Sequence, residues 1–527
     1  MGSDSGHASL SAATNLADCV RATARRRGDA VALVYRSGST RQEITWSALD
    51  AVVDAAAAGF GAALGLQPGE RVGLVLANTP AFVTAYFGLL RAGLVAVPLD
   101  TGYTSPELAR LLAEADATVV LCEDSTVHVV EEAVATTHRA LVDGAGFDSV
   151  VAAGREAGPV ASKSGGEDLA VLLFTSGTSG RPKGVMLSHR ALLANLRQCL
   201  ALDPEPMRQD DVVLLVLPLF HVYGLNAALG MVVATGARAV LAQRFDPRGT
   251  LELVRDEGVT TIPAAAPMYV AWSDLEDEQP DGADLAGALR GVRLLASGAA
   301  PLPASVLEQV QTRTGMTIHE GYGLTETAPV VTSTFGSSRV KPGSIGRPLP
   351  GVDLRLVDES GAPVAEEDPG EIQVRGDNLF SGYWPDGSQR PGPGEWYSTG
   401  DVAYADDEGD LFLVDRRTEL VLVSGFNVYP REIEEVIAEH PDVAEAAVIG
   451  VAHPRTGEAV KAYVVARAGR SLSPADVTAH CAQRLARFKR PTIVSVVDSL
   501  PHSVTGKVAK GRLRQREAAA GRAEPTP

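Results

Sequence analysis

At 527 residues the chain is longer than one ordinary domain and calls for two or more. Its 45% hydrophobic and 21% charged residues suit a large core, and a net charge of −18 with no basic run argues against nucleic acid or an anionic membrane as partner. Four scattered cysteines (Cys19, Cys122, Cys199, Cys481) without C-x-x-C spacing exclude a zinc site or disulfide framework, and read as reduced core thiols of a cytoplasmic protein.

No basic-then-apolar leader opens the chain, and Gly6 stands where a myristoylation signal needs Ser or Thr. From 18 to 165 strand-like and helix-like segments alternate. "RVGLVLAN" (71–78) and "ATVVLCE" (117–123) read as buried strands; "TPAFVTAYFGLLRAG" (79–93) and "SPELARLLAEA" (105–115) read as helices with Pro near their starts. Such alternation predicts a layered α/β core with parallel strands.

After the apolar run "LAVLLF" (169–174) comes "TSGTSGRPKG" (175–184), then "VMLSHRALLANL" (185–196), whose spacing predicts a helix. A Gly/Ser/Thr cluster of this kind is either a plain turn or an anion cradle. Hydroxyls from Thr175, Ser176, Thr178 and Ser179, inward N–H groups freed by Gly177 and Gly180, and the charge of Lys183 favour a phosphate. The spacing fails the G-x-x-x-x-G-K-[ST] pattern, because Pro182 stands five residues after Gly177 and Gly184 follows Lys183. Lysine is scarce, at seven of 47 basic residues, which singles out a lysine placed in such a loop.

Between Val212 and Ala237 no Asp, Glu, Lys or Arg occurs, long enough for a membrane span. Pro218, His221, Asn226 and several glycines interrupt it, so a buried strand running into a buried helix is expected, and no membrane span. From about 350 short strands with turns ("VDLRLVDESGAP", "GEIQVRG", "GDLFLVDRR") suggest a small β-subdomain. The tail alternates "YPREIEEVIAEH" (helix), "VAEAAVIGV" and "AVKAYVVA" (strands) and "PADVTAHCAQRLARF" (helix), and "REAAAGRAEPTP" reads as frayed. The fold expected is α/β: a large layered N-terminal domain with its β-subdomain (1–414), a hinge (415–419) and a mobile α+β C-terminal lid (420–527).

Six further stretches occur in order: "PLFHVYG" (218–224), "SGAAPLP" (297–303), "EGYGLTET" (320–327), "YSTGD" (397–401), "DRRTELVLVSGFNVYPREIE" (415–434) and "LPHSVTGKVAKGRL" (500–513). With the loop at 175–184, the set resembles the acyl-adenylate-forming superfamily of acyl-CoA synthetases, firefly luciferase and nonribosomal-peptide adenylation domains. Within it, "SGFNVYPREIE" and "EGYGLTET" look most like bacterial fatty acyl-CoA ligases. The resemblance implies that ATP activates a carboxylate as acyl-AMP, with release of pyrophosphate, and that a thiol then takes the acyl group.

It also implies roles. Thr175, Ser176, Gly177, Thr178 and Lys183 would hold phosphates, with Gly298, Ala299 and Tyr322 around the adenylate, Tyr322 stacking on adenine. Glu326 would bind Mg²⁺ on the ATP phosphates, with Thr325 beside it and Thr175 as a second metal contact, because hard cations favour oxygen ligands. Asp401 would accept the ribose hydroxyls and Arg416 support ribose and phosphate. Lys507 would bridge acyl carboxylate and α-phosphate, then swing away with the lid so that the thiol enters. Ser424, Gly425 and Phe426 would meet CoA. The hinge position, commonly Asp or Lys in this family, is Thr418, whose β-branching stiffens it.

For the acid, the resemblance makes His221 a wall of the pocket, although a lone His in an apolar run also reads as a core residue. Gly224, Ala227, Ala228 and Gly230 are expected to leave space, Gly298 to line the substrate, and Gly323, where acetate-using relatives carry Trp, to open a channel. Gly321, where malonate-using relatives carry Arg, speaks against a dicarboxylate. A medium- or long-chain fatty acid is expected, with an arylpropenoic acid as the alternative. The acceptor expected is CoA, with a free-standing acyl carrier protein as the other option. A degenerate nucleotide-binding protein is the contrasting class, against which Lys183, Glu326, Asp401 and Lys507 speak.

Overall fold

The computed structural model describes residues 10, 12–38, 40–135, 140–161, 164–175, 182–275, 285–365, 368–416, 419, 421–423, 426–453, 457–485, 487–502 and 507–523. They divide into two compact units. One comprises the described residues of Met1–Gly177, Pro182–Asp353 and Val374–Tyr397; the other those of Leu354–Gln373 and Ser398–Pro527.

The first unit holds two sheets. In one, the spatial order is Ala140–Val142, Ala117–Cys122, Arg71–Val75, Val95–Pro98, Leu169–Thr175, Lys183–Ser188. All neighbours are parallel except the last two, which form a hairpin. The helices Pro80–Ala92 and Ser105–Glu114 begin as expected, after Thr79, whose side chain accepts the Phe82 N–H, and after a Thr104–Glu107 capping box. In the other sheet Ile318–Gly323, Leu294–Gly298, Thr261–Ala265, Val212–Leu215, Arg238–Leu241 and Val31–Ser37 run parallel side by side. Antiparallel strands extend it on each side, Val330–Ser333 at Ile318–Gly323 and Thr40–Thr45 at Val31–Ser37.

One described helix, Trp46–Leu64, is long and apolar enough to cross a membrane by length and composition. Here it is a core element. Trp46, Leu49, Val53 and Phe60 are buried, and its small residues meet the helix Gly144–Ala157. At that crossing a methyl on Gly59 would lie 2.0 Å from the Val150 carbonyl oxygen, and one on Gly154 would lie 1.7 Å from that of Ala55. The stretch 212–237 is, as expected, a buried strand leading into a buried helix, whose first part, Tyr223–Gly230, is π-helical. All four cysteines are buried and free, and burial pushes the Cys19 and Cys199 thiols up to about 12.

In the second unit, Leu411–Arg416 pairs antiparallel with the 398–405 part of Tyr397–Ala405. The C-terminal sheet is built on Gly457–Ala466, flanked by antiparallel Val443–His453 on one side, and by antiparallel Val421–Val423 and parallel Ile493–Val496 on the other. Helices Pro430–Ala438 and Pro474–Arg484 bury Ile433, Ile437, Val477 and Cys481 in one cluster with Val448, Val460, Ala462 and Val464. Leu513, on the helix Lys510–Ala523, packs in another with Ala447, Ile449 and Tyr463.

Two expected elements need correction. Residues 185–188 are strand, not helix: Lys183–Ser188 pairs with Leu169–Thr175, and the helix starts at His189, where the Ser188 hydroxyl accepts the Ala191 N–H. The C-terminal stretch through Ala523 is helical, not frayed, because the buried Leu513 and the Lys461–Glu517 ion pair at 2.7 Å anchor it. Residues 524–527 lie outside the described residues.

Candidate active site

The strands on either side of the polar loop pair antiparallel. Thr175 ends one strand directly opposite Lys183, which begins the next. Ser176, Gly177 and Thr178 lie outside the described residues. The hairpin continues into the turn 380–384: Ser381 N–H donates to Met186 O at 2.8 Å, Met186 N–H to Gly382 O at 3.1 Å and Trp384 N–H to Gly184 O at 2.8 Å. Tyr383 is thereby set beside Lys183, whose Nζ lies 4.6 Å from the ring centroid. The Tyr383 hydroxyl donates to Glu326 Oε1 at 2.7 Å, and Phe380 N–H to the Glu326 carbonyl at 2.9 Å. Burial, then the Glu326 charge, pushes the Tyr383 phenol well above its ordinary value, so it remains a donor.

Thr325 and Glu326 are half-buried on a short 3₁₀ turn, Thr325–Thr327. Just before it, the strand Ile318–Gly323 carries Tyr322, which is 8% exposed and pairs with Thr332. The neighbouring strand ends at Gly298, and Ala299 follows with φ of +68°. A left-handed alanine is strained by about 1–2 kcal/mol, the kind of strain that gathers at functional turns. Glu320, buried, accepts the Leu302 N–H at 3.3 Å and so ties the Ala299 turn to the Tyr322 strand.

His221 is half-buried and its Nδ1 accepts the Tyr223 N–H at 3.3 Å, immediately before the π-helix. From that helix Asn226, fully buried, donates to Leu192 O at 3.1 Å and to Ala328 O at 2.8 Å, which anchors it to the Glu326 turn.

The glycines expected to open space do something else. A methyl on Gly224 would lie 2.4 Å from the Pro218 carbonyl oxygen, and one on Gly230 would lie 2.7 Å from Asn226 Oδ1. On Gly323 it would lie 1.8 Å from the Pro329 carbonyl oxygen. These positions accommodate backbone and packing, so Gly323 is not the open mouth of a channel. At Gly298 the space is bounded by the Tyr223 ring, 3.1 Å away.

In the second unit, Asp401 is buried on its strand, and Arg416 stands opposite it in register. The Asp401 N–H donates to Thr399 Oγ1 at 3.1 Å. Lys507 is exposed, just before a bridge that joins Val508 to His502. Three residues on, Lys510 pairs with Glu419 at 2.9 Å and Glu434 at 2.8 Å. Thr418, Ser424 and Gly425 lie outside the described residues, as do the side chains of Arg416 and Phe426.

Tyr383 and Glu320 were not singled out in the sequence, and Asn226 only as a polar break in an apolar stretch. Tyr383 stands 57 residues from the carboxylate it contacts, and no spacing rule connects them.

A strained turn at the end of a parallel strand, and a lysine and a carboxylate joined through one tyrosine, mark a polar site on an α/β scaffold. The chain belongs to the AMP-binding enzyme family: that family's pattern matches residues 20–384, and the pattern of its C-terminal domain matches 432–507. It is 35% identical over 499 residues to a long-chain-fatty-acid–CoA ligase of Yersinia pestis, covering 87% of each chain. It is 36% identical to a feruloyl-CoA synthase of Amycolatopsis sp, covering 93% of this chain and 97% of that one. The structure is similar to that of ATP-bound MatB from Rhodopseudomonas palustris, with TM-score 0.85, 32% identity, and 95% and 99% of the two chains covered. The chain is thus an adenylate-forming acid–thiol ligase that uses ATP and CoA.

Proposed function

We propose that the protein activates an apolar monocarboxylic acid, a medium- or long-chain fatty acid, as acyl-AMP and passes the acyl group to CoA. The observation that carries the reading is the set Lys183, Tyr383 and Glu326 beside the polar hairpin. Adenylation brings two anions together, and a fixed ammonium with preorganised donors offsets the charge that builds at the phosphates. Among the described residues no three His, Cys, Asp or Glu side chains are grouped to hold a metal. Mg²⁺ would arrive on ATP, held mainly by phosphate oxygens and water, with Glu326 and Thr175 as the protein's oxygens.

In this reading Tyr322 and the Gly298–Ala299 turn hold adenine, and Asp401 and Arg416 hold the ribose. Their opposed register supports that pairing. Lys507 meets the acyl carboxylate and α-phosphate in the first step, and Ser424, Gly425 and Phe426 meet CoA in the second. The domain division is 1–414, a hinge at 415–419 that includes Thr418, and a lid from 420. The apolar character of the acid is supported by the charge-free stretch 212–237 and by Gly321 before Tyr322. His221 borders the reacting carboxylate. A second reading, an arylpropenoic acid, is favoured by the feruloyl-CoA synthase relative.

The test is pyrophosphate release across acetate, octanoate, dodecanoate, palmitate, malonate and ferulate, with and without CoA. Fatty acids with the highest kcat/KM support the reading, and ferulate ahead of them moves it to the second. Thioester formation on an acyl carrier protein but not CoA overturns the acceptor.

A further inference from the structure

We propose that Tyr383 is a positioning residue for the adenylation half-reaction, holding the Glu326 carboxylate and the Lys183 ammonium apart and in fixed relation before MgATP binds. The proposal rests on the reading of Glu326 and Lys183 given above. Tyr383 touches both groups: its hydroxyl donates to Glu326 Oε1 at 2.7 Å and its ring lies 4.6 Å from Lys183 Nζ.

A Lys183 ammonium that reached the Glu326 carboxylate would form a direct ion pair with it. MgATP would then have to break the pair before it could use either charge. A tyrosine between them prevents this. A ring face attracts a cation through its quadrupole without neutralising it. A phenol hydrogen bond orients a carboxylate and leaves its negative charge in place. The phenol engages Oε1, and the carboxylate as a whole would remain an oxygen ligand for the cation.

The turn that carries Tyr383 is fixed from both sides. Its backbone bonds to Gly184 and Met186 attach it to the strand of Lys183, and the Phe380 N–H attaches it to the Glu326 carbonyl. The Phe380 ring packs edge-on against Tyr383 at 5.1 Å and against Tyr397 at 5.2 Å. The backbones that carry the ring, the ammonium and the carboxylate are therefore held together, and only side-chain rotation can separate the three groups.

The decisive variant is Tyr383→Phe, which keeps the ring over Lys183 and removes only the hydroxyl. Loss of one hydrogen bond to a charged group corresponds to about tenfold. The expected result is a rise of about tenfold in the Mg²⁺ concentration for half-maximal pyrophosphate release, a similar fall in kcat, and an unchanged KM for the acid. Tyr383→Leu, which also removes the ring face, should in addition raise the KM for ATP. In a Glu326→Gln background, Tyr383→Phe should add less than twofold. If Tyr383→Phe keeps the parental Mg²⁺ dependence while Glu326→Gln shifts it, the positioning role is overturned and the reading of Glu326 stands. If Glu326→Gln and Lys183→Ala both leave Mg²⁺ and ATP dependence at parental values, the reading of the site itself fails. A Tyr383→Phe effect that is fully additive with Glu326→Gln and accompanied by a lower melting temperature makes the residue merely structural.

Discussion

Acidification should destabilise the protein through one buried ring, that of His189. This residue opens the helix His189–Leu200 and is fully buried. Its Nδ1 accepts the Leu16 N–H at 3.2 Å, so the ring hydrogen sits on Nε2, 3.2 Å from Ser164 Oγ. Burial pushes its pKa down from 6.5 to about 4, with Asp168 and Asp18 opposing only in part. A folded-state value below the unfolded one means that the unfolded chain binds the proton first. The stabilisation is therefore fully present above pH 6.5 and is lost as pH falls toward 4. At about 1.4 kcal/mol per pH unit, the loss reaches about 1.4 kcal/mol by pH 5.5 and about 3.4 kcal/mol in full. The assay is a series of urea unfolding curves between pH 8 and 5.5 for the parent and for His189→Gln, which cannot titrate. The difference between the two should be constant above pH 7 and shrink by about 1.4 kcal/mol at pH 5.5. A difference that stays flat through that window would refute the buried neutral ring.

Lys507→Ala should reduce pyrophosphate release by roughly 10²–10³-fold yet spare thioester formation from supplied acyl-AMP; an equal fall in both would overturn the two-conformation account. Thr418→Pro should impair the CoA step more than acyl-AMP formation, because proline fixes φ near −65° where rotation is required. An unaffected CoA step would move the hinge elsewhere. Gly323→Ala should lower the melting temperature and slow every acid alike, since the added methyl meets the Pro329 carbonyl at 1.8 Å. A changed ranking of acetate, octanoate and dodecanoate at parental stability would restore the channel at that position.

Much of the alternating α/β core was legible because its signals are local. Pro80 and Pro106 after capping threonines mark helix starts, and near-continuous Val and Leu mark strands buried on both faces. The error at 185–188 arose because Val-Met-Leu-Ser fits either period, and only pairing with Leu169–Thr175 decides. The C-terminal helix was missed because Ala- and Arg-rich sequence gives little amphipathic signal, while the contacts that order it, Leu513 in the core and Glu517 on Lys461, are tertiary. In the second unit Asp401 and Arg416 stand opposite one another, a register that no spacing in the sequence announces. The direction of an absent side chain was not readable. Gly323 signals small size in the sequence, but only the fold reveals that the reason is the Pro329 carbonyl.

The crossing of Trp46–Leu64 and Gly144–Ala157 constrains how the chain can evolve. Gly59 and Gly154 each face the other helix's backbone at under 2.1 Å from a would-be methyl, so neither can change first and let the other follow. The two positions form a lock with no single-step exit. A hydropathy scan sees only a greasy, glycine-dotted segment there, yet those glycines are fixed by helix crossing inside a protein core.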